Sequence, residues 1–304
     1  MSVTLLHISR TSLYQFINLT KPRVNLLIVF CALIGMLMAL AGSQNYNFSL
    51  LVRLTIGLVG IGIVSSAAAA VNCLLERKID AKMARTAWRP LPSGNLTVFQ
   101  TMLFSIMLAS FGFWLLIEFV SPLTAYLTLL TFFGYAFIYT IILKPLTPQN
   151  IVIGGASGAM PPVLGWSIVS GTIAPEAWLL FLIIFVWTPP HFWALALYRV
   201  DDYRRSGLPM LPVTHGSKFT RLQILLYAIL LLVTSIMPFV VGMSGTLYIT
   251  SAVLLGSIFV KFSWNLYLEY SEKRARQLFR FSINYLALLF FALLVDKFLE
   301  VYFF

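Results

Sequence analysis

The largest group of charged side chains comes directly after a long apolar segment, Leu51–Val71. Seven charged residues and one amide fall within residues 72–89. Asn72, Glu76 and Asp80 are spaced four residues apart, so a helix would place all three on one face. Carboxylate and amide oxygens suit Mg²⁺, which usually binds through one or two carboxylates and substrate phosphates. The spacing predicts a magnesium–diphosphate site, with these three residues as catalytic and metal-binding candidates.

Three basic residues, Lys82, Arg85 and Arg89, lie just beyond these acids. Their side chains suit phosphate oxygens, and an arginine can bind two such oxygens at once. The alternative is a charged loop whose acids and bases pair only with one another. Acidic residues this rare near a bilayer usually face a cavity, which favours a substrate-binding role.

A second charged cluster lies at residues 199–205, at the end of a later apolar segment. Asp201 or Asp202 could supply further metal-binding carboxylates, Asp202 being also a catalytic candidate, and the pattern does not separate the two as ligands. Arg199 and Tyr203 are candidate substrate contacts. The alternative is interfacial anchoring by arginine and tyrosine, which is common at membrane surfaces.

Other polar residues lie between these clusters. Lys144 and Asn150 are candidate substrate contacts facing the same cavity. They precede a segment rich in small residues, whose glycines 154, 155, 158 and 165 we interpret as sites of close helix packing. His191 follows Pro189 and Pro190, which should break or kink an apolar helix and free backbone groups. This histidine is either an ordinary packing residue or a contact for a polar or metal-bearing substrate.

The composition places this site in a membrane protein. The 304 residues are 60% hydrophobic and only 10% charged, whereas soluble domains carry about 25% charged residues. The net charge of +11 fits positive loops on the cytoplasmic side of a membrane, so we do not infer nucleic-acid binding. The two cysteines, Cys31 and Cys73, lie in or beside apolar segments and are interpreted as buried thiols.

Nine segments are long and apolar enough to cross a bilayer. The prediction is an all-α polytopic protein, with residues 1–304 forming one transmembrane domain and residues 1–20 a short cytoplasmic tail. The predicted spans are Val24–Ala41, Leu51–Leu75, Val98–Val120, Pro122–Leu143, Ile151–Ser170, Pro175–Tyr198, Leu222–Gly242, Thr246–Tyr267 and Phe281–Phe303.

The distribution of basic residues predicts the orientation. With nine spans, 19 of the 21 lysines and arginines fall on one side, and only Arg53 and Lys297 remain for the other. This asymmetry predicts a cytoplasmic N-terminus and a periplasmic C-terminus in a bacterial cell inner membrane.

Several segments, in order, resemble a known family. Residues 72–91 resemble the first motif of the UbiA-type intramembrane prenyltransferases, and the MART and RPL extensions at 83–86 and 89–91 resemble its heme O synthase branch. Further similar segments lie at residues 20–24, 147–155, 158–166, 188–196, 201–213 and 275–286.

This resemblance implies a nine-helix bundle around a central cavity open to the cytoplasmic side. It implies transfer of farnesyl from farnesyl diphosphate to a vinyl group of heme B, with water addition, giving heme O for a terminal oxidase. Mg²⁺ is the implied cofactor, and membrane lipid and a heme A synthase or terminal oxidase are the implied partners. By resemblance alone, Lys21 and Arg23 join the substrate-binding candidates, and His191 becomes a heme contact.

Two features depart from the family pattern. Glu76 stands where the wider superfamily has aspartate, and Pro145 stands where a basic residue is expected after Lys144. Two other functions stay open: a prenyltransferase for an aromatic acceptor, and a transporter, which should place charges near the bilayer midplane. Here both charged clusters lie at the ends of apolar segments, which favours catalysis.

Overall fold

The computed structural model describes residues 10–41 and 47–303. The first nine residues of the predicted tail lie outside the described residues, and the rest of that tail contains helix α1. The helices are α1 Arg10–Leu19, α2 Pro22–Leu40, α3 Phe48–Leu75, α4 Arg77–Asp80, α5 Val98–Phe119, α6 Pro122–Phe133, a π-helix Gly134–Leu143, α7 Lys144–Leu146, α8 Asn150–Ala159, α9 Pro161–Ser170, α10 Pro175–Tyr198, α11 Val200–Ser206, α12 Leu211–Thr214, α13 Gly216–Val240, α14 Thr246–Leu268 and α15 Glu272–Phe303.

Nine helical segments within the described ranges are long and apolar enough to span a membrane, as predicted. Two begin six or more residues earlier than expected. Helix α13 starts at Gly216 rather than residue 222, and α15 starts at Glu272 rather than residue 281. Basic residues assigned to loops therefore lie on the first turns of these helices, where long side chains can extend from an apolar helix to water.

The antiparallel helices bring several turns of the chain to one end of the bundle. We call this the polar end; it contains residues 20–21, 76–97, 144–149, 199–215 and 269–271. The turns at residues 120–121, 171–174 and 241–245 lie at the opposite end. Both charged clusters are therefore at the polar end.

Two spanning segments are unusual: one contains internal prolines and the other contains a π-helix. Of the predicted break or kink, the break does not occur, because helix α10 is continuous through Pro189 and Pro190. Just before them, the Thr188 hydroxyl donates to the carbonyl of Ile184 at 2.7 Å. The fourth spanning segment contains ten residues of π-helix, in which the Thr140 hydroxyl also donates to the carbonyl of Tyr135 at 2.9 Å. Such π segments often mark functional sites.

Small residues permit the closest helix contacts. A Cβ on Gly165 would lie 1.8 Å from the Ala32 carbonyl oxygen, and one on Gly35 would lie 2.0 Å from that of Pro162, so α2 and α9 touch backbone to backbone. Glycines 154 and 155 also lie against neighbouring side chains. Gly158 was expected to pack closely but is exposed, and a Cβ at this position would have no neighbouring heavy atom within 4 Å.

Candidate active site at the polar end

The four-residue spacing of Asn72, Glu76 and Asp80 survives the end of helix α3. The amide of Glu76 donates to the Asn72 carbonyl at 2.9 Å, and the amide of Asp80 donates to that of Glu76 at 2.8 Å. All three side chains are buried. The row therefore forms as predicted, partly on α3 and partly on α4.

Each member of this row contacts a basic side chain from elsewhere in the chain. Lys21 Nζ donates to Asn72 Oδ1 at 2.6 Å, and Lys144 donates to Glu76 Oε1. Arg89 Nη1 donates to Asp80 Oδ2 at 2.6 Å. Asn72 is thus tied to the residue that precedes α2, and the two acids are tied to α7 and to the loop after α4.

The Lys21 backbone is strained where it enters this site. Its φ of 49° is in the left-handed region, and no other non-glycine residue in the described ranges has a positive φ. Such conformations cost free energy and concentrate at functional sites. Pro22 begins α2 immediately afterwards, and the left-handed residue turns the chain so that the lysine reaches Asn72.

Electrostatics favour the charged form of Glu76 and Arg89. Burial by itself raises the pKa of Glu76, but the positive charges of Lys144, Lys21 and Arg89 outweigh burial and hold this pKa below its ordinary value. Burial lowers the pKa of Arg89, while the carboxylates of Asp80 and Glu76 help to raise it, and the net change is upward. Both groups are ionised at neutral pH.

The structure separates the two neighbouring aspartates. Asp202 is buried and lies 2.5 Å from Arg205 Nη2 and 3.6 Å from Arg199 Nη1. Asp201 has 76% of its side chain exposed and pairs with Arg204. The short helix α11 turns Asp201 towards solvent, so the structure does not place this metal-ligand candidate beside the buried Asp202 carboxylate.

Tyr139 connects the two clusters and was missed in the sequence. It lies within electrostatic range of Glu76, Arg85 and Tyr203. Lys144 Nζ is 5.9 Å from its ring centre, and a Cβ on Gly154 would lie 2.2 Å from that ring. The closely spaced glycines after Lys144 were the available signal, since they leave room for a large neighbour.

The remaining predicted contacts fall into two groups. Tyr203 is buried, and Asn150 is fully buried with its amide donating to the Thr147 carbonyl at 2.6 Å, which leaves Oδ1 enclosed without a partner. Arg85 is exposed, but its charge is close enough to interact electrostatically with Tyr198, which lies beside the second cluster. Arg23 and Lys82 are exposed and their side chains make no polar contact with other described residues, so the structure does not bring them into the cluster.

His191 lies between aromatic rings. Trp187 stacks on one side with centroids 4.2 Å apart, and Phe279 stacks with centroids 4.6 Å apart. Its Nδ1 is 2.6 Å from the hydroxyl of Ser282. The imidazole is buried and therefore held in one orientation.

The donor set suits Mg²⁺ completed by phosphate. Glu76 and Asp80 each use one carboxylate oxygen in an ion pair, and the other oxygen has no hydrogen-bond partner among the described residues. Within those residues no three His, Cys, Asp or Glu side chains could hold a metal together. Magnesium commonly takes few protein carboxylates and adds phosphate oxygens, so these hard ligands fit it.

Comparison with known proteins identifies the family of this chain. Residues 28–294 match the UbiA prenyltransferase family. The chain is 57% identical to a Burkholderia thailandensis protein named protoheme IX farnesyltransferase, over 98% of both chains, and 56% identical to one of the same name from Burkholderia mallei.

Solved structures share the fold at low identity. A digeranylgeranylglyceryl phosphate synthase superposes with a TM-score of 0.77 at 17% identity, covering 94% of this chain and 98% of its own. A UbiA homologue from Archaeoglobus fulgidus bound to DMAPP and Mg²⁺ gives a TM-score of 0.61 at 14% identity, covering 92% and 99%. From its sequence match and its relatives, the chain belongs to the UbiA prenyltransferase family.

Proposed function

We propose that this protein transfers the farnesyl group of farnesyl diphosphate to a vinyl group of heme B, with addition of water, giving heme O for terminal oxidases. The observation that carries the proposal is the buried row of Asn72, Glu76 and Asp80, each bonded to a cation from another segment. The acceptor follows from the relatives named protoheme IX farnesyltransferase.

The polar end supplies groups for the diphosphate. Glu76 and Asp80, with the amide oxygen of Asn72, would hold Mg²⁺ in the first cluster, and Asp202 would supply a carboxylate for Mg²⁺ in the second. When bound, this ion neutralises charge on the diphosphate and acts as a Lewis acid. Lys21, Lys144, Arg85 and Arg89 add positive charge where negative charge develops on the leaving group.

The reaction breaks the bond between C1 of farnesyl and the diphosphate oxygen, and the diphosphate leaves with the electron pair. The π electrons of the heme vinyl group form a carbon–carbon bond to the resulting allylic cation. Water adds to the cation left on the heme side chain and loses a proton to give the hydroxyl. Apolar side chains of the bundle keep other water away from these cations.

His191 is the proposed contact for heme. It lies on α10 seven residues before Tyr198, about two helical turns from the polar end, so an acceptor beside it would be within the apolar part of the bundle. This depth suits a porphyrin whose vinyl edge must meet the C1 end of the farnesyl chain.

We further propose a bacterial inner membrane location, with a cytoplasmic N-terminus, a periplasmic C-terminus and a cavity opening to the cytoplasm. The asymmetry of basic residues supports this orientation. A heme A synthase or terminal oxidase would receive the product.

The test uses membranes containing the protein, supplied with heme B, farnesyl diphosphate and Mg²⁺. We expect heme O by chromatography and mass, and its loss in Asp80→Asn and Asp202→Asn. Asp201→Asn is the matched control and should retain activity, because that side chain is exposed. If the membranes prenylate only an aromatic acid and not heme B, the proposed acceptor is wrong. If folded protein prenylates no acceptor, the result favours a transporter.

A further inference from the structure

The surroundings of His191 determine which of its ring nitrogens carries the proton. Ser282 Oγ lies 2.7 Å from the carbonyl oxygen of Phe279, to which it donates, and 2.6 Å from His191 Nδ1. A serine hydroxyl has one proton, and a carbonyl oxygen can only accept. Both short contacts are hydrogen bonds at the same time only when Ser282 donates to the Phe279 carbonyl and accepts from Nδ1, so the geometry favours an imidazole protonated at Nδ1.

This assignment leaves the lone pair on Nε2. That nitrogen makes no hydrogen bond to any residue in the described parts of the chain, and it is not among the fully enclosed polar atoms that lack a partner. Neutral imidazole with Nδ1 protonated is the form that binds a metal through Nε2, and the hydrogen bond made by the other nitrogen fixes this choice.

Ser282 also holds the ring that stacks on His191. Trp187 Nε1 donates to the Ser282 backbone carbonyl at 2.8 Å. One residue of α15 therefore bonds two residues of α10, through its hydroxyl and its carbonyl. The interplanar angles of 19° and 26° between His191 and its two stacking partners limit rotation of the imidazole about its own axis.

We propose that Ser282 is a positioning residue, which holds His191 with Nδ1 protonated so that Nε2 binds the iron of the heme acceptor. The inference rests on the proposed function, because heme is the iron-bearing substrate there. Iron ligation would fix the porphyrin in the bundle, and the hydrogen bond from Nδ1 would raise the basicity of the ligating nitrogen.

The first test measures the tautomer directly. The sequence contains only three histidines, His7, His191 and His215, so ¹⁵N-histidine labelling of the protein in lipid bilayers gives few signals, and His191→Gln assigns one of them. We expect a neutral imidazole protonated at Nδ1. A signal protonated at Nε2 would overturn the proposal.

The second test titrates the purified protein with heme B and records visible and electron paramagnetic resonance spectra. We expect an imidazole-ligated iron in the wild type, loss of that signature in His191→Gln, and an affinity about 10- to 100-fold lower in Ser282→Ala. Ser282→Thr keeps a hydroxyl and should restore most of the affinity. Unchanged spectra and affinity in Ser282→Ala would overturn the proposal.

Ser263→Ala is the matched control. Ser263 is also fully buried, and its hydroxyl donates to the Phe259 carbonyl of its own helix at 2.9 Å, on α14. It should bind heme as the wild type does. If the wild type forms heme O but shows no imidazole-ligated iron, this inference is wrong and the proposed function stands. If the wild type neither binds heme nor forms heme O, the proposed function is wrong as well.

Discussion

Glu76 and Lys144 join two segments that are 68 residues apart. Replacing Glu76 by Gln leaves Lys144 without its carboxylate, and breaking a buried pair in this way costs about 3 kcal/mol. The pKa of Glu76 is below its ordinary value of 4.5. The carboxylate therefore stabilises the fold above that pH, and the contribution disappears as the pH falls through the folded-state pKa.

The free energies of unfolding of wild type and Glu76→Gln should accordingly differ at pH 7 and converge as the pH falls through the folded-state pKa of Glu76, which is below 4.5. Unfolding in detergent at several pH values measures this difference. Glu118→Gln, which alters an exposed acid at the opposite end, should stay within about 0.5 kcal/mol of wild type throughout. A stability difference between wild type and Glu76→Gln that persists in acid would show that it does not come from the Glu76 carboxylate.

Lys21 allows backbone strain to be separated from side-chain function. Lys21→Gly and Lys21→Ala both remove the ammonium that bonds Asn72, so both should lose most heme O formation. Only alanine keeps the cost of a left-handed φ, about 1 kcal/mol or more. Thermal unfolding should find Lys21→Ala less stable than Lys21→Gly by that amount, and equal stability would show that the backbone relaxes.

The candidate site could be predicted only in part from the types and spacing of residues in the sequence. The four-residue spacing identified Asn72, Glu76 and Asp80, because hydrogen bonds of the helical type persist past the end of α3. It could not choose between Asp201 and Asp202, since that depends on how α11 is rotated. Tyr139 lies in an apolar run without a charge pattern, and its approach to the site depends on a π-helix that hydropathy does not predict.

Helix α14 receives its N-terminal cap from another element. Asp296 on α15 accepts the amide of Gly245, and it accepts the amide of Tyr248 at 3.2 Å. A carboxylate at a helix N-terminus stabilises both the unpaired amides and the helix dipole. Asp296→Ala should lower the free energy of unfolding by about 2 kcal/mol.

Glu300→Ala is the comparison for Asp296. Its carboxylate lies four residues further along α15 and pairs with Lys297 at the surface, where such pairs contribute about 0.5 kcal/mol. Chemical unfolding of both variants measures the difference. Equal effects would mean that the Asp296 cap contributes no more than a surface charge.

Helices α2 and α9 depend on glycine for their contact. Gly165→Ala places a methyl group against the Ala32 carbonyl, so the helices must separate, and we expect a loss of about 2 kcal/mol or more together with reduced activity. Gly158→Ala adds the same methyl group on an exposed helical surface and should be neutral or stabilising by up to about 1 kcal/mol. Unfolding and heme O assays on both variants make the comparison.

The orientation of the whole molecule can be tested from its two ends. After Cys31 and Cys73 are replaced, single cysteines at Ser93 and Thr172 lie on exposed turns at the polar and opposite ends, respectively. In intact cells, an impermeant thiol reagent should label only the second, because basic loops remain in the cytoplasm. Labelling of Ser93→Cys alone would reverse the predicted orientation.

At this scale the sequence was most informative, because nine spans follow from length and hydropathy alone. The starts of α13 and α15 were misplaced because their first turns carry lysines and arginines, which lower hydropathy without ending a helix. Packing between distant helices, such as the contact of α2 with α9, depends on side-chain shapes across the bundle and does not follow from any one segment.

The π-helix has a consequence for how this protein can change in length. Each residue added to or removed from an α-helix rotates everything beyond it by about 100°, whereas a π segment can absorb a single deletion by returning to α geometry. Deletion of Ile141 or Ile142, both exposed on this helix, would preserve a spanning segment of adequate length. Because the π segment would absorb the deletion, Lys144 should still reach Glu76. The sequence length between Tyr139 and Lys144 can therefore change by one residue, which an ordinary α-helix at this position would not allow.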